Sequence, residues 1–231
     1  MLDSQLKHWE IAQAICSIFR PMLRLSKEIK TYDQVETIDA PHPPDRSVLR
    51  GSLVSQIRSS DYKLFFQQGF DADFSVSRDL IRGDDLAFQT IFQSRIRYGL
   101  PVFQHYAITA ELQGGLWVDG NEADSFRKGL SRGFRGSESL SVWTNRFFNA
   151  SVDYQVPLKT FQYGTWTMAP FLESGMIRFS AGQKSSIRYQ SYGVGTYFFL
   201  KEIAIPGLGL EFGTNNKFQK RFVSFSAGLN V

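Results

Sequence analysis

Cysteine is almost missing from this chain of 231 residues: Cys16 stands alone, so no internal disulfide can form and the redox compartment stays unread. Long apolar runs are missing too. Nowhere do about 18 apolar residues follow one another, which excludes membrane-spanning helices but not a transmembrane barrel, whose strands hide their hydrophobicity at alternate positions. The three histidines, His8, His42 and His105, lie far apart in segments of different kind, so no metal site is expected. No basic block occurs either. The formal charge of +4 comes from 26 basic and 22 acidic residues interspersed along the chain, which argues against a nucleic-acid partner. Asp3 and Glu10 sit where a secretory leader would be positive, and Gln13 interrupts the apolar stretch from Ile11 to Phe19, so no good secretory signal is expected there.

What the chain does have is 21 Phe, 9 Tyr, 4 Trp and 19 Gly, an excess that suits β-structure better than a helical bundle. Residues 2–29 are the exception. Leu2, Leu6, Trp9, Ile11, Ala12, Ile15, Ile18, Phe19, Met22 and Leu25 include a series that recurs at spacings of three and four, which predicts an amphipathic helix over 1–29 that Pro21 kinks or splits. Such a helix packs on the rest of the protein, plugs a lumen, lies on a membrane or docks a partner. Residues 30–47 contain Pro41, Pro43 and Pro44 without periodicity and read as a linker.

From residue 48 to 231 the period changes to two. Phe70, Ala72, Phe74 and Val76 alternate with Asp71, Asp73, Ser75 and Ser77; Phe148, Ala150, Val152 and Tyr154 alternate with Asn149, Ser151, Asp153 and Gln155. Strand-like segments fall at 48–58, 63–78, 86–99, 103–118, 140–157, 164–178, 186–200, 204–213 and 219–231. Segments of about ten residues cross a hydrocarbon layer when tilted. The polar face carries Gln, Asn, Ser, Thr and Gly rather than the Lys and Glu of a solvated surface, so the expectation is an all-β, antiparallel transmembrane β-barrel. A soluble barrel or sandwich is the alternative. Because such barrels have even counts, about eight strands are expected, with ten as the alternative. The longest connection, 119–139, ends in Ser131-Arg132-Gly133-Phe134-Arg135-Gly136, and loops of this length are usually functional or disordered.

Ser131-Arg132-Gly133-Phe134, the Asp153, Tyr154 and Pro157 of SVDYQVPL, the Phe171, Glu173 and Gly175 of FLESGM, and the Gly193 and Gly195 of SYGVGTYF occur in that order. In this the chain resembles the BamA/TamA superfamily of outer-membrane assembly and translocation barrels, surface-antigen-like proteins with an FhaC-type branch. The resemblance covers roughly residues 128–231; residues 48–118 fit only as generic barrel strands. It implies a truncated relative without POTRA domains, acting in outer-membrane protein insertion or translocation, in a bacterial or organellar outer membrane. Its partners would be the lipid bilayer and other outer-membrane or assembly proteins, reached through the N-terminal helix. No cofactor is implied.

The resemblance also implies a loop lock. A family loop folds into the lumen on a Val-Arg-Gly-Phe/Tyr tetrad, which assigns that role to Arg132, Gly133 and Phe134, with Asp153, Glu173 and Gly175 receiving them. The alternation puts Asp153 on one face with Asn149 and Gln155, and Glu173 on one face with Thr165, Thr167 and Gly175, so both carboxylates point inward and a guanidinium would find two acceptors. Phe134 would pack against Gly193 and Gly195. The alternative is an Arg132 that tips an exposed loop. Two other readings remain beside assembly: a small structural or narrow-channel barrel filled by Arg95, Arg97, Asp71, Asp73, Glu111, Asp153, Glu173 and Glu211, and a lipid-modifying enzyme, for which His105 and Glu111 are too little. No catalytic residue is expected.

Overall fold

The computed structural model describes residues 19–30, 46–63, 65–82, 88–103, 106–118, 126–128, 135, 142–179, 186–200, 206–217 and 220–227. Alternation of side chains on an extended backbone produces eleven strands: β1 Phe19–Lys30, β2 Arg46–Tyr62, β3 Gln67–Arg82, β4 Thr90–Val102, β5 Tyr106–Val118, β6 Phe126–Lys128, β7 Val142–Thr160, β8 Gly164–Phe179, β9 Ser186–Leu200, β10 Pro206–Asn215 and β11 Phe222–Ala227. All but β6 follow one another in a single antiparallel path, β1-β2-β3-β4-β5-β7-β8-β9-β10-β11, and β6 pairs with β7 outside it. Among the described residues β1 and β11 do not pair with each other.

Two sequence expectations need correction. Over 19–29 the chain is a strand and not a helix: Phe19 through Lys30 pair residue by residue with Ile57 through Arg46. The spacing of Phe19, Met22 and Leu25 mimics a helical stripe, but Leu23 and Leu25 face the same side as Leu53 and Gly51, with Met22 and Arg24 on the other. Pro21, a helix breaker, is tolerated because β1 lies at the edge of the described sheet. The remainder of the expected helix, residues 2–18, lies outside the described residues. The path therefore holds ten strands and not eight; each of the segments read from the sequence is present, the one at 48–58 included, and β1 is the addition.

Register makes the sheet two-sided. Leu23, Leu53, Val76, Phe92 and Leu116 are successive partners across β1 to β5, and Val152, Leu172 and Tyr192 continue the same face across β7 to β9. These side chains are not buried: Leu23 is 81% exposed, Leu172 58% and Tyr192 62%, so the sheet turns an apolar face outward along its whole width. The opposite face is polar and largely covered. One of its rows runs Arg58, Asp71, Arg97, Glu111, Ser151, Glu173, Ser191 and Asn215 from β2 to β10.

The sheet also curls around that polar face. Phe65 and Phe66, in the β2–β3 turn, share a buried cluster with Ala107 of β5 and Phe199 of β9. On a flat sheet, strands spaced about 4.8 Å apart would leave β9 roughly 24 Å from β3, far beyond what a turn residue reaches. A second cluster, Ile91, Phe147, Ile177 and Tyr189 with Trp117 against it, fills the other end.

Small residues let the polar face close up. Gly193 and Gly213 lie between Phe171 and Phe222, and the two rings lean over them until their centroids are 6.3 Å apart, although three strand steps separate them. A Cβ on Gly193 would meet Phe171 Cζ at 2.8 Å and collide with the Phe212 carbonyl oxygen. Gly193→Ala should therefore cost about 1–3 kcal/mol through overpacking. Gly114→Ala, on the outward face with its nearest atom, Ser94 Oγ, at 3.4 Å, should stay within about 0.5 kcal/mol. Denaturant unfolding of the two variants side by side measures both, and equal costs would contradict the packing described.

Candidate functional site

The connections sort by end. Residues 31–45, 83–89, 119–141, 180–185 and 216–221 join strands at one rim, and 63–66, 103–105, 161–163 and 201–205 at the other. From the longest of these loops a single described residue, Arg135, reaches onto the polar face, where its side chain, its N–H and its carbonyl are all engaged.

Its guanidinium donates from NH1 to Asp153 Oδ1 of β7 at 2.7 Å, and its Nε lies 3.4 Å from Glu211 Oε1 of β10. The flat face of the same group stacks on Phe171 of β8, 4.1 Å from the ring centroid, a cation–π contact. The backbone is held as firmly. The Arg135 N–H donates to Glu173 Oε1 at 3.0 Å, while its carbonyl accepts from Ser191 Oγ at 2.8 Å and from Asn215 Nδ2 at 3.0 Å. One loop residue thus ties β7, β8, β9 and β10 together.

The surroundings are built for this guest. Asn215 also donates to Ser191 Oγ at 2.6 Å, and the Tyr197 hydroxyl donates to Glu211 Oε1 at 2.5 Å, which orients that carboxylate. Tyr189 lies over Gly175 and faces Glu173. Burial works against a charged Arg135, yet Asp153 and Glu211, with Tyr197 beside them, outweigh it and hold the guanidinium above its ordinary pKa. Three carboxylates gathered on one buried face would repel one another without a cation, so the arginine and the acids stabilise each other's presence.

Measured against the sequence reading, Asp153, Glu173 and Gly175 converge on the polar face, but the arginine brought to them is Arg135. Arg132, Gly133 and Phe134 lie outside the described residues. The rings that cover Gly193 and Gly195 are Phe171 and Tyr197. Tyr154 points outward, stacked on Tyr106 at 5.8 Å, and Pro157 sits at a register shift, so of the SVDYQVPL residues only Asp153 joins the site. Glu211, Ser191, Asn215 and Tyr197 were not expected in the lock. A signal for Arg135 was present all the same: Arg-Gly occurs twice, at 132–133 and at 135–136, and the second copy follows an apolar residue as the tetrad requires.

Two further charged clusters line the polar face. Arg95 makes a two-pronged contact with Glu111 at 3.0 and 2.9 Å, with Arg97 at 3.3 Å from the same carboxylate, and Arg58 meets Asp73 at 2.6 Å. Nearer the long-loop rim, buried Asp79 takes Arg50 at 2.8 Å and Arg82 at 3.0 Å. Glu111 is thus engaged in ion pairs, and His105 lies outside the described residues. Among the described residues no group of His, Cys, Asp and Glu could hold a metal ion.

Neither the models of known protein families nor the curated proteins contain a match to this chain.

Removing one member of a partly buried ionic cluster leaves the others uncompensated, at a cost of roughly 3 kcal/mol. Arg135→Gln should lower the temperature at which compact gel mobility is lost, and lower it more than Arg132→Gln does. The reverse order would assign the lock to Arg132.

Proposed function

We propose that the chain is a membrane-spanning β-barrel of an outer membrane, bacterial or organellar, related to the BamA/TamA assembly and translocation barrels and acting in protein insertion or transport. The observation that carries this reading is the exposed apolar face that runs unbroken across all ten strands, backed by a polar face whose charges pair with one another. In water such a face would be an aggregation surface; in hydrocarbon it is the solvated side. Strands of 13 to 19 residues, β2 to β5 and β7 to β9, are long enough to cross with margin. The short-turn rim adds Tyr98, Phe103, Tyr163 and Trp166, exposed aromatics at the level where a bilayer interface would lie.

In this reading the edges of β1 and β11 meet to close the barrel, and that junction is the seam at which a client strand could pair. Arg135 holds the long loop inside and leaves the seam as the part free to open. The partners are the bilayer, client chains and other assembly proteins. A docking role for the N-terminal segment is kept only for residues 2–18.

A second reading is favoured by the filling of the polar face. Rings lie over Gly115, Gly175, Gly193 and Gly195, and Arg95, Arg97 and Glu111 form a closed ionic set, as in a structural barrel or narrow channel without insertase activity. Vesicles carrying the purified chain separate the two: faster insertion of an unfolded barrel client supports the assembly role, and no acceleration leaves the structural one.

Leu172→Arg tests the membrane placement common to both. At the middle of a hydrocarbon layer it should cost about 2–4 kcal/mol, measured by denaturant unfolding in vesicles. On a water-exposed strand the same change would be worth at most about 0.5 kcal/mol, and that result would remove the membrane reading.

A further inference from the structure

Cations on the outward face gather at one rim. Arg146 of β7 and Arg178 of β8 are direct cross-strand partners, and Arg188 of β9 lies diagonally beyond, opposite Met176. All three share the outward face with Phe148, Met176 and Leu172, at the end where the long loops leave the sheet. Arg78 of β3, paired with Gly51 and Thr90, and Lys27 of β1, paired with Leu49, face outward at the same rim. The one described carboxylate on that face, Asp61, lies at the opposite rim and pairs with Lys63 at 2.7 Å.

Like charges placed directly across a strand pair destabilise it. Among the described residues no carboxylate stands within ion-pair reach of Arg146, Arg178 or Arg188, whereas Arg50, Arg58, Arg82, Arg95 and Arg135 on the polar face are met by acids. An anion from outside the chain would convert this repulsion into binding.

The surface beside the arginines has the form of a lipid site. One pair further from the rim than the partners Phe148 and Met176, the outward face drops to the partners Ala150 and Ser174, and the groove there, of about 540 Å³, has Arg188 in its wall with Gln190 and Asn216 beside it. A ligand matching both parts carries phosphate at one end and acyl chain at the other.

We propose that Arg146, Arg178 and Arg188 form a binding site for the phosphate of an anionic membrane lipid, whose acyl chain lies in the Ala150–Ser174 groove. The proposal rests on the membrane reading above and adds to it an orientation: the long-loop rim faces the leaflet richer in lipid phosphate. Arginine suits the task, since its planar fork meets phosphate oxygens two at a time.

The test uses the full chain in nanodiscs made from equal amounts of phosphatidylglycerol and phosphatidylcholine, with retained lipids counted by native mass spectrometry. Phosphatidylglycerol should be retained preferentially at low salt, at about fivefold per arginine. The preference should fall to near parity in Arg146→Gln/Arg178→Gln/Arg188→Gln and stay unchanged in Lys159→Gln at the opposite rim. Compact gel mobility before and after heating checks that each variant is folded. A chain that enters the bilayer but shows no preference, or a triple variant that keeps it, overturns the lipid site and leaves the membrane reading standing. A chain that enters no bilayer overturns both. Inorganic phosphate at matched concentration should not displace the lipid, and if it does, the site is one for free anions and the proposal falls.

Discussion

The strands of this protein carry an exposed apolar side and a polar side, and the period of two in the backbone is what allows it. Side chains at successive positions cannot share a face, so a residue placed on the apolar side commits its neighbours to the polar side. A slip of one residue in any strand pair would turn Leu172 inward and Glu173 outward. The ladders from β1 to β11 hold one register apart from local shifts near Leu49, Thr144, Pro157 and Pro206, all toward strand ends. The charged clusters follow from this constraint. A carboxylate obliged to point to the covered face needs a cation there, and Arg58, Arg95, Arg97 and Arg135 supply one.

Arg135 differs from the rest because it comes from a connection and not from a strand. A loop residue gains nothing from ladder hydrogen bonds, so the order of its backbone must come from the side chains it meets. Glu173, Ser191 and Asn215 provide that, while Asp153, Glu211 and Phe171 hold the guanidinium. The number of strands touched matters more than the strength of any one contact. Four neighbouring strands fixed to one point cannot slide or fan apart without losing several bonds together.

The alternation made most of this legible before any coordinates: nine of the ten strands in the path, the two faces, and the inward aim of Asp153 and Glu173 were open to reading from the sequence. What escaped has physical causes. In β1 the residues Phe19, Met22 and Leu25 satisfy helical spacing by coincidence, and Pro21 looks like a kink, since sequence alone does not reveal that the strand lies at an edge. Arg135 escaped because the resemblance directs attention to the first of two Arg-Gly pairs, which sit three residues apart in a loop without periodicity. Ser191 and Asn215 carry no charge to attract notice, and their role appears only when β9 and β10 are laid side by side.

The glycines under aromatic rings are unevenly distributed, and this gives the wall two mechanical characters. Gly115, Gly175, Gly193, Gly195, Gly209 and Gly213 each accept a ring from the same or a neighbouring strand, and all lie between β5 and β10. On β1 to β4 no described glycine is roofed in this way; a Cβ at Gly69 or Gly99 would meet backbone instead. Ring and backbone interlock at many points of one arc, while the other relies on its ladders, its ion pairs and the buried Phe65, Phe66 and Ile91 at its ends. Amide hydrogens of β8 and β9 should therefore exchange more slowly than those of β1 and β2.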